Sequence, residues 1–392
     1  MLRSLYAGIS GLRAEQTMLD VTSNNIANVN TTGFKSSSVQ FEDTLSQTLS
    51  AAGLPQPTKG GTNPDQVGLG VRVAAISTNL AQGEQQSTGN NLDTMISGDG
   101  YFVTSVGSQT QYTRDGAFHW DAQGRLATSD GNLVQGWTAT NGVISTGGAP
   151  GVISLPTGSV APAVATTKAT LTGNLDATGA GGAATKEITV YDKAGTAKTL
   201  SITFTPGTTA GTWTYSAGDG SGTDVSGTLT CANGKVTGAT TNTTSDGIAI
   251  DMTALTGFAD LSTATIASQD GTAAGRLLST TMGNDGTLSG TFSNGATIPL
   301  ARLALATFNN PEGLEKAENS NLVQTLNSVT PTLTTAGDGS AGTIVAGALE
   351  ASNVDLSQEF TNLIIAQRGF QANARIITTS DQVLQDLVQL KQ

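Results

Sequence analysis

Both ends of this chain are helical and carry apolar stripes, while the roughly 300 residues between them read as Gly- and Thr-rich β-structure. At the N-terminus Leu5, Ile9, Leu12, Gln16, Leu19, Ser23 and Ile26 alternate in steps of four and three, the spacing of a coiled-coil seam. Near the C-terminus Leu356, Phe360, Leu363, Gln367, Phe370, Ala374, Ile377, Asp381, Leu384 and Val388 keep the same rhythm. Two seams separated by the whole chain can pair only if the termini meet, so the chain must leave and return through one stalk. The polar and small residues in both seams, Gln16, Ser23, Gln367, Ala374 and Asp381, weaken a self-sufficient two-helix core and point to further partners.

The composition narrows what those partners are. Only 12% of the residues are charged and 49 are Gly, so Thr, Ser, Asn and Gln carry much of the surface. Such a surface suits dense packing between subunits, because few charges must be desolvated. The net charge of −12, with no basic stripe, argues against a nucleic-acid partner. No apolar run is long enough to span a membrane, so no membrane insertion is expected. The segment from Met1 to Ile9 has one Arg and no continuous apolar core, unlike a cleaved secretory signal peptide.

Along the chain, the first helix is expected from Leu2 to Asn28, stopping in Asn30-Thr31-Thr32-Gly33. Gly8 and Gly11 lie inside it and weaken it by about 1 kcal/mol each. Residues 31–70 read as a connector. Alternating residues from Val71, then the meander from Tyr112 to Trp137 with turns at Arg114-Asp115-Gly116, Asp121-Ala122-Gln123-Gly124 and Ser129-Asp130-Gly131, predict antiparallel strands. A second meander around Asp285-Gly286 and Asn294-Gly295 suggests that 71–145 and 271–352 form one inner β-domain. The segment 146–270, with strands at Glu187 to Tyr191, Thr199 to Phe204 and Thr212 to Tyr215, is an inserted outer β-domain. The closing helix opens at Asp355 with Gln358 three residues on, a capping-box arrangement. The expected architecture is a mainly β multidomain protein, with antiparallel β-domains inserted between paired N- and C-terminal helices (1–30 with 353–392) that form a coiled-coil-like axial domain.

Catalytic chemistry finds little support. The one His, His119, lies in Ala117-Phe118-His119-Trp120 between two turns and reads as a strand-surface residue with no catalytic partner. A zinc site of Cys and His ligands is excluded by one Cys and one His. The Asp-Gly pairs and the loop from Gly218 to Asp224 have the context of hairpin turns. The chain is therefore expected to be no enzyme and to need no cofactor or metal.

One segment is specific. Ser23-Asn24-Asn25-Ile26-Ala27-Asn28-Val29-Asn30-Thr31-Thr32-Gly33-Phe34-Lys35 resembles the N-terminal signature of the bacterial flagellar rod and hook protein family. Gly98 to Val103, Tyr112 to Phe118, Leu133 to Trp137 and Ala306 to Leu314 are similar to the family's first β-domain, and Gly347 to Asp355 with Gln367 to Asn373 to its C-terminal pattern. Rod members are expected to lack the 146–270 insertion, which favours a hook-type subunit.

By this resemblance, copies stack into a curved hollow tube, a universal joint passing motor torque to the filament. Leu5, Ile9, Leu12, Leu19, Ile26, Leu356, Phe360, Leu363, Phe370, Ile377 and Leu384 would form the assembly interface, and Asn24, Asn25, Asn28, Thr31, Thr32, Gly33 and Phe34 the family motif. The implied partners are further copies of itself in a helical homopolymer, the distal rod, the hook cap, the hook-filament junction proteins and the flagellar export apparatus. Export without cleavage to the extracellular part of the flagellum is implied too. A distal rod drive shaft and a secreted β-rich adhesin are the competing readings.

Overall fold

A computed structural model describes residues 2–55, 57, 60–140, 142–155, 160–179, 182–220 and 222–389. Met1, Ser221 within the loop from Gly218 to Asp224, and the side chain of Val388 lie outside the described residues. The chain divides into two compact units. The first comprises residues 1–155, 281–289 and 299–392, and the second 156–280 and 290–298.

The first unit contains both long helices, α1 (Leu2–Ala27) and α2 (Leu356–Gln389). Helix α1 ends where the Asn28 amide donates to the carbonyls of Asn24 and Asn25 and Gly33 adopts φ +67°, a left-handed conformation that suits Gly. At the start of α2 the Asp355 carboxylate accepts from the amides of Ser357 (2.8 Å) and Gln358 (3.2 Å). The Gln358 side chain turns to Asn362 instead of back to the cap, so only half of the expected capping box forms.

Between the helices, the described part of residues 31–70 is more ordered than its Ser- and Gln-rich composition suggests. Ser37–Asp43 pairs antiparallel with Val71–Thr78, with a bulge between Gln40 and Phe41, and Ser46–Ser50 pairs with Asp65–Gly68. The first ribbon alternates between half-buried and exposed residues, whereas Ser46–Ser50 and Asp65–Gly68 are exposed throughout, so no buried face marks the second.

The meander forms as read. Tyr101–Val106 makes a hairpin with Gln109–Thr113, and Phe118–Trp120, Leu126–Thr128 and Leu133–Thr140 follow. Late segments of the chain close it: Leu305–Thr307 adds to Tyr101–Val106, Thr343–Ala346 pairs with Thr94–Ser97, and Ala348–Glu350 pairs with Gln85–Ser87. Tyr101, Val103, Tyr112, Trp137, Ala304 and Ala306 pack into one core. Phe308 meets the rings of Tyr112 at 4.9 Å and Tyr101 at 5.9 Å edge to face, a geometry aromatic quadrupoles favour.

The second unit is built on a sheet in which Ala184–Tyr191, Ala197–Pro206, Thr212–Gly218, Val225–Ala232 and Gly234–Gly238 follow one another antiparallel. Lys168–Asn174 then lies beside Ala249–Gly257 in parallel, a departure from the purely antiparallel expectation. The whole meander intervenes between these two strands, which supplies the long connection a parallel pair requires. Alternate residues bury Leu200, Ile202, Phe204, Trp213 and Tyr215 in one core. The polar tips are satisfied: Trp213 Nε1 donates to the Asp176 carbonyl (3.0 Å) and the Tyr215 hydroxyl to the Ala239 carbonyl (3.0 Å).

Candidate assembly site on the terminal helices

The two helices approach along a line of small residues. A Cβ added to Gly8 would sit 3.4 Å from Ile376 Cγ2, and one added to Gly11 would sit 2.7 Å from Asn373 Nδ2. Ala14 and Ala366 are buried. The two glycines that weaken α1 as an isolated helix are thus what lets α2 come close. The line continues to Asn25, whose side chain donates to Glu359 Oε1 at 3.1 Å. It is offset by one residue from the apolar seam. Leu5, Ile9, Leu12, Leu19 and Ile26 are half-buried beside it, as are Leu363, Phe370 and Ile377 on α2.

Three apolar seam residues of α2, Leu356, Phe360 and Leu384, face solvent together with apolar residues outside the seam. Phe360, Ile364 and Ile365 are 51%, 57% and 56% exposed, and Leu356, Ile376, Val383 and Leu384 are exposed as well. An apolar stripe of this length on one helix marks a surface awaiting cover.

Below the helices, the motif residues form a joint between the two ends of the β-region. Asn25 is buried and clamps the first strand, accepting from the Ser37 amide (3.0 Å) and donating to the Ser37 carbonyl (2.8 Å). Asn28 Oδ1 accepts from Thr31 Oγ1, and Thr32 Oγ1 donates to Asp115 Oδ1 (3.0 Å). Gly33 passes so close to Arg114 and Asp115 that a Cβ would lie 2.8 Å from the Asp115 nitrogen. Asn24 and Phe34 line, with Asn28, Thr31, Thr32 and Arg114, a cleft of about 460 Å³. The Lys316 ammonium lies over the Phe34 ring, 5.4 Å from its centre.

Sequence reading quoted Lys35, Arg114, Glu350 and Asn353 within motifs without assigning them a role. In the fold they converge. Glu350 is fully buried; its carboxylate meets Lys35 Nζ at 2.6 Å and Arg114 Nη1 at 3.5 Å, and accepts from the Gly83 amide at 2.8 Å. Lys35 also donates to the Ala81 carbonyl. Asn353 bridges the Ser36 amide to the carbonyls of Asn79 and Ala81. Burial pulls the Lys35 ammonium below its ordinary pKa despite the opposing pull of Glu350, and pushes Asp115 above the usual carboxylate range. Only proximity in the fold could have revealed these partners, which lie hundreds of residues apart.

His119 is exposed on its strand, Phe118–Trp120. Among the described residues no three His, Cys, Asp or Glu side chains cluster to hold a metal ion, and no helix is long and apolar enough to cross a membrane.

Three family models match the chain: a flagella basal body rod protein model at residues 5–35, the flagellar hook protein FlgE/F/G D1 domain at 95–198, and the flagellar basal body rod FlgEFG protein C-terminal model at 345–390. The flagellar hook protein FlgE of Borreliella burgdorferi is 37% identical over the whole of both chains, and that of Treponema pallidum 36% identical over the same full span. The flagellar basal-body rod protein FlgG of Bacillus subtilis is 33% identical, also over the whole of both chains. A crystal structure of Helicobacter pylori flagellar hook protein FlgE2 covers 68% of this chain and 100% of its own at TM-score 0.48 and 15% identity. The FlgG match spans the same full length at lower identity than the two hook proteins. By its 37% identity to a hook protein across its whole length, with rod and hook models matching both ends and the first β-region, this chain belongs to the bacterial flagellar hook protein FlgE family.

Proposed function

We infer that this chain is a structural subunit of a bacterial flagellar hook, in which copies polymerise through their terminal helices into a curved hollow tube. Within the molecule the supporting observation is the apolar stripe on α2, from Leu356 through Phe360, Ile364 and Ile365 to Leu384, which one chain leaves uncovered. Covering such a stripe with neighbouring copies recovers about 1.5 to 3 kcal/mol for each large side chain buried. Leu5, Ile9, Leu12, Leu19, Ile26, Leu363, Phe370 and Ile377 join this interface, the half-buried seam residues completing their burial against other copies.

A universal joint must resist twist and still bend. Surfaces of Thr, Ser, Gly and Asn suit it, because they exchange short hydrogen bonds and waters between registers without stranding a buried ion. In this reading the terminal helices carry assembly and the second unit contributes to curvature. The polymer joins the distal rod at one end and hook-filament junction proteins at the other, grows beneath a hook cap, and is fed by the flagellar export apparatus without cleavage, so that it stands outside the cell. The full-length match to a rod-named relative keeps a straight drive shaft as the second reading.

Electron microscopy of the purified full-length chain in polymerising salt, beside a chain lacking residues 1–34 and 353–392, tests this. Curved tubes from the full-length chain alone are expected. Straight tubes would move the reading to the rod, and a monomer under every seeded condition would overturn both.

A further inference from the structure

Glu15 stands on the line of closest approach between α1 and α2, beside Gly11, Ala14 and Asn373 and away from the Asn25–Glu359 contact at the end of the line. Its carboxylate lies over Gly369, whose missing side chain makes the room: a Cβ there would fall 2.5 Å from Glu15 Oε1. Glu15 Oε2 is closed off from solvent and has no hydrogen-bond partner. Beside it opens a cleft of about 280 Å³ lined by Gly11 and Ala14 of α1, Phe41 and Val71 of the first ribbon, and Asn373 of α2. None of these carries a charge. On the two ribbon strands Glu42 and Arg72 are paired with each other, and the remaining charge, Asp43, is a second carboxylate opposite Val71 that offers Glu15 no cation. Burial alone pushes the Glu15 pKa above the usual carboxylate range. A shielded carboxylate oxygen without a partner is costly, and a charge-assisted hydrogen bond from a cation is the strongest way to satisfy it.

The same helix pair has the complementary groups to spare. Arg13, Arg368 and Arg375 are exposed, and among the described residues none of them forms an ion pair. Each copy therefore presents an unsatisfied carboxylate and unpaired guanidinium groups on the surface through which copies would stack.

Resting on the hook reading above, we propose that Glu15 is the acceptor half of an ion pair between subunits: a guanidinium from α1 or α2 of a second copy, that of Arg13, Arg368 or Arg375, enters the cleft and binds the Glu15 carboxylate. The planar fork of Arg matches a carboxylate bidentately, which fixes the register of the two copies as well as adding affinity. Pairing holds Glu15 ionised in the polymer, whereas in the free chain it titrates above its ordinary range. Assembly through this pair is therefore fully supported above the free chain's Glu15 titration and is lost as pH falls below it through the lower titration of the paired carboxylate.

Seeded polymerisation followed by sedimentation, together with thermal melting of the unassembled full-length chain, reads both ends of the proposal. E15Q is expected to raise the critical concentration about tenfold or more, since truncating one side of a desolvated pair is costly. The same change is expected to flatten the pH dependence of assembly while leaving the free chain's melting temperature equal or higher, because the unpaired charge is gone. Of the three charge exchanges that combine E15R with R13E, R368E or R375E, one is expected to restore assembly. Wild-type critical concentration and pH dependence in E15Q would overturn the pair, as would a loss of assembly matched by a loss of free-chain stability, which marks a packing role within one chain. If the wild-type chain itself forms no tubes, the hook reading falls and takes the pair with it, an outcome separable from a Glu15 failure.

Discussion

Lys35 Nζ lies 2.6 Å from Glu350 Oε1, joining residues 315 positions apart through side chains 7% and 0% exposed. The pair stands where the chain leaves α1 and where it returns to α2. Glu350 also holds the Gly83 amide and faces Arg114, so its loss strands two buried cations. Glu350→Ala is expected to cost about 3 to 5 kcal/mol of folding stability in urea titration. Replacing Lys35 and Glu350 together by Met and Leu should recover only part of that loss, because one stranded cation goes while Arg114 keeps its buried charge. A double substitution no better than Glu350→Ala would contradict this account.

Asn25 makes three hydrogen bonds from a buried position, two to the Ser37 backbone and one to Glu359. Asn25→Ala is expected to destabilise the chain by about 1 to 3 kcal/mol, because the Ser37 groups lose their partners. Asn25→Asp should be at least as harmful: it keeps the acceptor for the Ser37 amide but loses both donations and sets a carboxylate against Glu359. An Asp variant as stable as wild type in thermal melting would sink the hydrogen-bond assignment.

Much of this was legible in sequence, and the missing parts share a cause. The termini announce their pairing because a seam of steps of three and four is a local pattern, and turns such as Asp121-Ala122-Gln123-Gly124 announce strands for the same reason. The offset contact line through Gly8 and Gly11 was hidden because glycines read locally as helix breakers. Their use appears only once Ile376 and Asn373 stand opposite. Glu350 gave no signal at all, since the three groups it binds come from positions 35, 83 and 114. The strand from Ser37 was missed because only Val39 and Phe41 are apolar in it, among Ser, Gln, Glu and Asp, and its pairing with the strand from Val71 rests on backbone hydrogen bonds.

The second unit contains an acid-sensitive contact. The Asp251 pKa is lowered from 3.8 to about 2 by hydrogen bonds from the Thr253 hydroxyl (2.6 Å), from Lys168 (2.9 Å) and from the Thr253 amide (3.1 Å). A folded-state pKa below the unfolded one contributes stability that is present above pH 3.8 and is lost as pH falls towards about 2. Over that interval wild type is expected to lose more stability than Asp251→Asn, read by the fluorescence of buried Trp213. Parallel acid profiles for the two proteins would show that the contact contributes nothing; its partly exposed position keeps the expected difference small.

Phe360 and Ile364 separate folding from assembly. Both are more than half exposed on α2, so charged replacements there disturb little inside one chain and stay within about 0.5 kcal/mol of wild-type stability. In the polymer the same side chains would be covered, and Phe360→Asp with Ile364→Asp would place two carboxylates where apolar side chains meet. The expected result is a chain that melts like wild type and forms no tubes at any concentration at which wild type does. Tubes of normal length from the double variant would show that this stripe lies outside the contacts between copies. A lowered melting temperature would show that the stripe already packs within the single chain. Only the combination of an unchanged melt and absent tubes assigns the stripe to assembly.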